Sequence, residues 1–152
     1  MPGATFTVEF ETDEACPHVF AGSPAVVLFF VSWAYSLRFG GMHELAQATL
    51  HMQRYHKVDL RPLLTFADRN VEDDDDQFAL DHAWQDPADL AACARAAAAA
   101  LESDDDDLRS FTALYLPDLS DRLRDIAVMC DWGAVRGTRA RLVFTLSLNE
   151  EE

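Results

Sequence analysis

Alternating hydrophobic and polar residues lie near both ends of the chain, in residues 5–10 and residues 142–148. A period of two places successive side chains on opposite faces, so each stretch predicts a β-strand with one apolar face. The second stretch follows a turn signal at Gly137. Because an isolated strand is not stable in water, we expect the two strands to pair in one small sheet that brings both ends of the chain into a single core.

The first helical pattern covers residues 24–39. A serine followed by a proline marks its start, two glycines mark its end, and no charged residue occurs in it before Arg38. We therefore predict a helix that is buried on nearly all sides. The alternative is a buried strand over residues 26–31 followed by a short helix, because that stretch is rich in β-branched and aromatic residues.

Three further helices are predicted downstream. Residues 42–55 form an amphipathic pattern with Tyr55 on the apolar side. Residues 86–101 are rich in alanine, so this helix can pack closely against a neighbour and is also the candidate surface for a homodimer. Residues 119–130 give the clearest amphipathic pattern in the chain, and Gly133 is predicted to end that helix.

Together these patterns predict an α+β fold: a small sheet that includes the N-terminal and C-terminal strands, covered by about four to five helices. Hydrophobic residues make up 49% of the chain, which is too many for a disordered acidic polypeptide. No repeat or Ser/Pro/Gly-rich linker divides the sequence. We therefore expect a single globular domain over residues 1–149 and an acidic tail over residues 150–152.

The acidic residues are concentrated in the middle of the chain. The whole sequence has 27 acidic and 12 basic residues, a formal charge of -15, and residues 68–107 hold fourteen of those acids against two arginines. Within this acidic middle segment, residues 72–76 and 104–107 are unbroken acidic runs. Adjacent carboxylates repel each other and stay hydrated, so each run predicts an exposed loop or the start of a helix.

The two acidic runs have three interpretations: solvated loops that keep the protein in solution, a docking surface for a basic partner, or divalent-cation binding. An EF-hand does not fit, because Asp73 occupies the position of its turn glycine and Ala79 that of its bidentate glutamate. We predict a non-enzymatic protein-interaction module, similar in charge to inhibitors and immunity proteins, that binds a basic protein partner. Its predicted binding residues are Asp73, Asp74, Asp75, Asp76, Asp104, Asp105, Asp106 and Asp107.

The composition argues against several other classes of protein. Nucleic-acid binding needs a basic surface that neutralises phosphates, and this chain is strongly acidic. The longest apolar stretch, residues 25–37, is shorter than the roughly 20 residues that span a membrane. Three widely spaced cysteines, with no basic-then-apolar leader before them, favour a reducing cytoplasm over a secreted disulfide framework.

The histidines do not have the spacing of metal ligands. On a helix, His51 shares a face with Tyr55 but not with His56, and no HExxH motif is present. Lys57 is the sole lysine, and no glycine-rich phosphate-binding loop surrounds it. We therefore expect no metal and no cofactor, and interpret the histidines as solvated or packing residues.

The alternative function is a small enzyme or an anionic-ligand-binding domain. Asp81 and His82 supply a carboxylate and an imidazole, although on a helix they project about 100° apart. Arg139 and Arg141 lie on one face of an extended chain. The simpler interpretation is that these arginines pair with the acidic middle segment or protect a sheet edge. A cavity that brings His82 together with another polar group would favour the alternative.

Overall fold

The two terminal strands pair directly in the computed structural model, which describes residues 4–40 and 42–146. Strand β1 (Ala4–Phe10) runs antiparallel to β3 (Ala140–Leu146), and a short strand, β2 (Phe66–Asp68), pairs in parallel with the other edge of β3. The strand order is therefore β1-β3-β2. This confirms the α+β class and the pairing of the terminal strands, whereas residues 147–152, with the predicted acidic tail, lie outside the described residues.

The described part of the chain also contains seven α-helices. They are α1 (Ala25–Tyr35), α2 (Glu44–Tyr55), α3 (Arg61–Leu64), α4 (Asp74–Asp81), α5 (Pro87–Leu101), α6 (Asp106–Thr112) and α7 (Asp118–Val135). Two short 3-10 turns, Ser36–Phe39 and Ala113–Tyr115, follow α1 and α6. None of the helices described is both long and apolar enough to cross a membrane.

Helix α1 forms as predicted, and the alternative strand is absent. The expectation that it is buried on nearly all sides is wrong: Phe30 and Val31 lie in the core, but Phe29 is 42% exposed and Tyr35 is 38% exposed. Helices α2 and α7 and strand β1 pack against the buried side of α1. On the partly exposed side, the Phe29 ring contacts the rings of Trp33, His43 and Tyr115.

Helix α7 continues past the glycine that was predicted to end it. Gly133 lies inside the helix, and a Cβ atom there would be 2.4 Å from the ring of Phe10, so only glycine allows this close packing. The helix ends two residues later, at Val135. Gly137, with a φ of 69°, follows the C-cap Arg136 and turns the chain toward β3, which is the usual position of a terminating glycine.

Helices α5 and α7 form the most extensive helix pair, as the small side chains of α5 allow. Ala94, Ala97 and Ala98 are fully buried in the core, and Cys93 and Cys130 are buried as expected for small apolar residues. Burial raises the pKa of the Cys93 thiol to about 11 and that of Cys130 to about 12, so both stay protonated near neutral pH. A homodimer built on α5 stays a prediction.

The two faces of the sheet pack against different groups of buried residues. Leu142 of β3 points into the main core with the larger helices, whereas its neighbour Val143 points to the other face. On that second face Val143 packs with Ala67, Leu80 and Ala83, so α4 covers it. The two acidic runs therefore lie on opposite sides of the sheet, one at the start of α4 and the other at the start of α6.

Candidate functional site

Helix α4 begins with the first acidic run. The Asp73 carboxylate is the N-cap and accepts a hydrogen bond of 2.9 Å from the backbone N–H of Asp76. Leu80 is buried against the sheet and fixes the helix from its inner side. Asp74 and Asp75 are exposed in the first turn, where carboxylates also interact favourably with the helix dipole. The run is therefore a helix start, as predicted.

One side of α4 presents carboxylates and an aromatic ring to solvent. Residues three and four apart lie together on a helix surface, so Asp74 and Asp75 adjoin Phe78, which in turn adjoins Asp81 and His82. The Phe78 side chain is 63% exposed. The His82 ring stacks on it with ring centres 3.8 Å apart, and its Nδ1 donates to the Phe78 carbonyl at 2.8 Å. We call these five residues the α4 face.

The carboxylates of both acidic runs have no arginine partner among the described ion pairs. The arginine pairs are Arg61–Asp59, Arg69–Glu9, Arg95–Asp131, Arg122–Asp125, Arg124–Glu102, Arg136–Glu14, Arg139–Glu11 and Arg141–Glu9. Asp81 accepts a hydrogen bond from neutral Gln77 at 2.7 Å. Among the residues that the structure describes, no ion pair with a basic side chain compensates the negative charge of the α4 face.

The predicted arginines Arg139 and Arg141 pair with glutamates in β1 and just after it. Arg141 lies opposite Glu9 in the antiparallel register and pairs with it at 2.9 Å, and Arg139 pairs with Glu11 at 2.6 Å. The Arg139 side chain holds the pKa of the Glu11 carboxyl below its ordinary value. Pairing with the acidic middle segment is therefore wrong for these two residues, and so is edge protection, because β3 is the central strand.

The four residues of the alternative site do not share a cavity. Arg141 lines a cavity of about 520 Å³ that also contains Cys16 and His18, whereas Arg139 lines a separate cavity of about 590 Å³. Asp81 and His82 line neither. Within the described residues, no hydrogen bond or ion pair joins Asp81 or His82 to either arginine. This geometry does not favour an acid–base or anion site at these positions.

A second cluster forms where α2 ends and α6 begins. The Nε2 atoms of His51 and His56 lie 2.6 and 2.8 Å from the same atom, Oδ2 of Asp105. The expectation that these two histidines lie on different faces of one helix does not apply, because His56 is the C-cap residue after α2. Helix α2 ends at Tyr55, and the chain turns at His56 and Lys57, where the φ angle of Lys57 is 57°. After this turn the His56 ring lies on the same side as the His51 ring, and both contact Asp105.

Asp105 is held in place from a second direction. As the N-cap of α6, its Oδ1 accepts the backbone N–H of Leu108 at 3.0 Å. This bond, with the two imidazole contacts, holds the pKa of the Asp105 carboxyl well below its usual range. The side chains of His51, His56 and Asp105 are 13%, 23% and 21% exposed, so the cluster is sheltered without being closed.

The prediction that Tyr55 lies on the apolar side of α2 is wrong. Its ring lies 4.6 Å from that of His51, as their shared helix face implies, but Tyr55 is 70% exposed and is not part of the apolar side of α2. Together with Phe111, both residues line a cavity of about 180 Å³ beside the cluster. No local spacing signal marks His51 or His56, because Asp105 lies 54 and 49 residues further along the chain.

His51, His56 and Asp105 form the one described group whose imidazole and carboxylate atoms are close enough to hold a metal ion together. Comparisons of the chain with protein-family models, curated proteins and solved structures found no match. The function is therefore inferred from the α4 face and from this histidine–aspartate cluster.

Proposed function

We propose that the protein is a non-enzymatic binding module whose α4 face binds a basic protein partner. The observation that carries this proposal is an exposed aromatic side chain, Phe78, among carboxylates that no arginine of the described chain neutralises. Inhibitors and immunity proteins that bind basic targets use the same charge logic. The partner would present lysine or arginine side chains around an apolar contact for Phe78.

An aromatic anchor within a charged surround suits a protein interface. Binding energy in interfaces concentrates in a few central residues, often aromatic, while surrounding polar groups exclude water. Carboxylates around the anchor attract a basic partner from a distance and speed association. The N-cap at Asp73 and the burial of Leu80 hold α4 in one position, which reduces the entropy lost on binding.

The proposal selects the first acidic run over the second. In the second run, Asp105 is committed to capping α6 and to the two histidines. The runs lie on opposite sides of the sheet, so one compact partner does not contact both by a single flat surface. The second run therefore provides a matched control, because Asp106 and Asp107 occupy the same first two helical positions in α6 as Asp74 and Asp75 do in α4.

The test compares wild-type protein with two variants of equal charge change, D74N/D75N and D106N/D107N. The wild type and both variants are immobilised separately. Each is used to capture proteins from an extract of the cells in which the protein occurs naturally, at low salt and at about 0.5 M NaCl. We expect the wild type and D106N/D107N to retain the same basic protein at low salt, and D74N/D75N to lose most of it. High salt should weaken all retention.

The captured protein is then purified, and its affinity for the wild type and for single variants of this protein is measured by calorimetry. Phe78→Ala should weaken binding by about 10-fold or more, because it removes the central apolar contact. His51→Ala should leave the affinity unchanged, because His51 lies outside the α4 face. Capture of no basic protein, or equal loss with both charge variants, would show that the α4 face is not a binding surface.

A further inference from the structure

We propose that His51, His56 and Asp105 form a binding site for a divalent transition-metal ion, with Zn²⁺ as its best match. The proposal is independent of the α4 face and goes beyond protein binding. It rests on the convergence of two imidazole Nε2 atoms on a single carboxylate oxygen at 2.6 and 2.8 Å.

The three ligand atoms need to move only slightly to hold an ion. Zinc binds imidazole nitrogen and carboxylate oxygen at about 2.0–2.2 Å, so neighbouring ligand atoms in a tetrahedral site lie about 3.3 Å apart. The Nε2 atoms of His51 and His56 must therefore withdraw from Asp105 Oδ2 by about 0.7 and 0.5 Å, respectively. When the ion binds, both imidazoles carry their proton on Nδ1 and present Nε2 as the ligand.

The donor set selects the class of metal. Two imidazoles and one carboxylate suit zinc and neighbouring transition metals, whereas calcium and magnesium prefer sites built from oxygen. Three protein ligands leave at least one coordination position for water or another small ligand. The partial exposure of all three side chains, together with the cavity beside His51, provides room for that ligand.

The charges that surround the site nearly balance. The N-terminus of a helix is a positive dipole end and by itself repels a metal ion. Here Asp104, Asp106 and Asp107 flank the ligand Asp105, and no described ion pair joins any of them to an arginine. Three basic residues oppose these carboxylates: Arg54 lines the neighbouring cavity, Lys57 follows the ligand His56, and Arg109 donates to the Ser103 carbonyl at 2.7 Å. The flanking charges therefore nearly cancel, and the preference for a cation comes from the three converging ligand atoms themselves.

The competing explanation is a purely structural hydrogen-bonded cluster. Asp105 would then accept N–H groups from both histidines and hold the end of α2 to the start of α6 without a metal. The two explanations differ in whether the folded protein takes up one ion with these three side chains as ligands.

The experiment titrates the full-length, metal-free protein with Zn²⁺ by calorimetry, and with Co²⁺ by visible absorption. We expect one ion per chain and a Co²⁺ spectrum typical of four-coordinate nitrogen and oxygen ligation. His51→Ala and His56→Ala should each weaken Zn²⁺ binding by at least about 10-fold and abolish the Co²⁺ spectrum. Asp105→Asn should also weaken binding while keeping an N-cap side chain for α6.

Two control variants test whether other metal-binding side chains are responsible. His82→Ala removes an exposed histidine of the α4 face, and Cys16→Ser removes a thiol that is not fully buried. Neither substitution should change the affinity of the protein for Zn²⁺. Thermal melts with and without Zn²⁺ show whether each variant is folded, and Zn²⁺ should raise the midpoint of the wild type but not of His56→Ala.

The proposal is overturned if the wild type shows no saturable binding of one ion. It is equally overturned if the folded double variant H51A/H56A binds Zn²⁺ as tightly as the wild type. Loss of the α4-face interaction has no bearing on either outcome, so the two proposals succeed or fail separately.

Discussion

Two arginines at the start of β3, Arg141 within the strand and Arg139 just before it, have different surroundings. The Arg141 side chain is 11% exposed, pairs with Glu9 and donates at 3.0 Å to the carbonyl of Leu80. Its guanidinium also lies 4.2 Å from the ring centre of Trp84. Arg139 is 56% exposed and pairs with Glu11 alone among the described carboxylates. Arg141 therefore connects β1, β3 and α4, whereas Arg139 contributes mainly at the surface.

We expect Arg141→Met to lower the free energy of unfolding by about 2 kcal/mol, because it removes donors from a partly buried carboxylate and a carbonyl. Arg139→Met should cost at most about 1 kcal/mol, as is typical of exposed ion pairs. Urea unfolding of both variants at neutral pH measures the difference. Equal losses would contradict the structural role given to Arg141.

At the scale of elements, three helices begin with the same capping device. An aspartate side chain accepts a backbone N–H at the start of α4, α5 and α6, through Asp73, Asp86 and Asp105. The similar sequences at α4 and α6 thus form similar local structure. Their surroundings differ, because Leu80 places α4 on the second face of the sheet while Asp105 meets two histidines from α2 and its C-cap.

The cap of α5 is suited to a direct test, since α5 packs against α7 in the main core. Asp86→Ala should lower the free energy of unfolding by about 1 kcal/mol, because the N–H of Ala88 loses its acceptor at 2.8 Å. Asp86→Asn keeps an acceptor and should cost much less. Chemical denaturation compares the two variants, and an equal loss would show that the charge of Asp86 matters more than the cap.

At the scale of the whole molecule, the charge is poorly balanced. The chain carries -15, and the described arginine pairs lie outside both acidic runs. Mutual repulsion of the remaining carboxylates opposes the compact state, whereas exposed ion pairs contribute little to it. Repulsion should therefore dominate the response of this protein to salt.

We expect the thermal midpoint to rise by about 3 °C or more between about 0.01 M and about 1 M NaCl, because the screening length falls from about 30 Å to about 3 Å. The variant D74N/D75N/D106N/D107N has less charge to screen, so its midpoint should rise less. Melting curves recorded by circular dichroism measure the midpoint of both proteins at each salt concentration. A midpoint that falls with salt would mean that the arginine pairs outweigh the repulsion.

Much of the local structure follows from the sequence alone. The terminal strands, four of the helices and the helix starts at both acidic runs were predictable, because side-chain periodicity and N-capping act over a few residues. The three-residue strand β2 was not predictable. It exists because Phe66–Asp68 pairs with β3, and nothing within so short a segment marks it as a strand.

The candidate sites likewise combine features that the local sequence determines with features that depend on tertiary packing. The sequence by itself determined that residues 72–76 would be exposed carboxylates, in a loop or at the start of a helix. The tertiary structure decided that Phe78 and His82 complete one exposed surface, that Arg141 is used within the fold, and that His51 and His56 meet Asp105. Local periodicity gives the face of a helix on which a side chain lies, whereas contacts between residues about 50 positions apart form only when whole elements pack together.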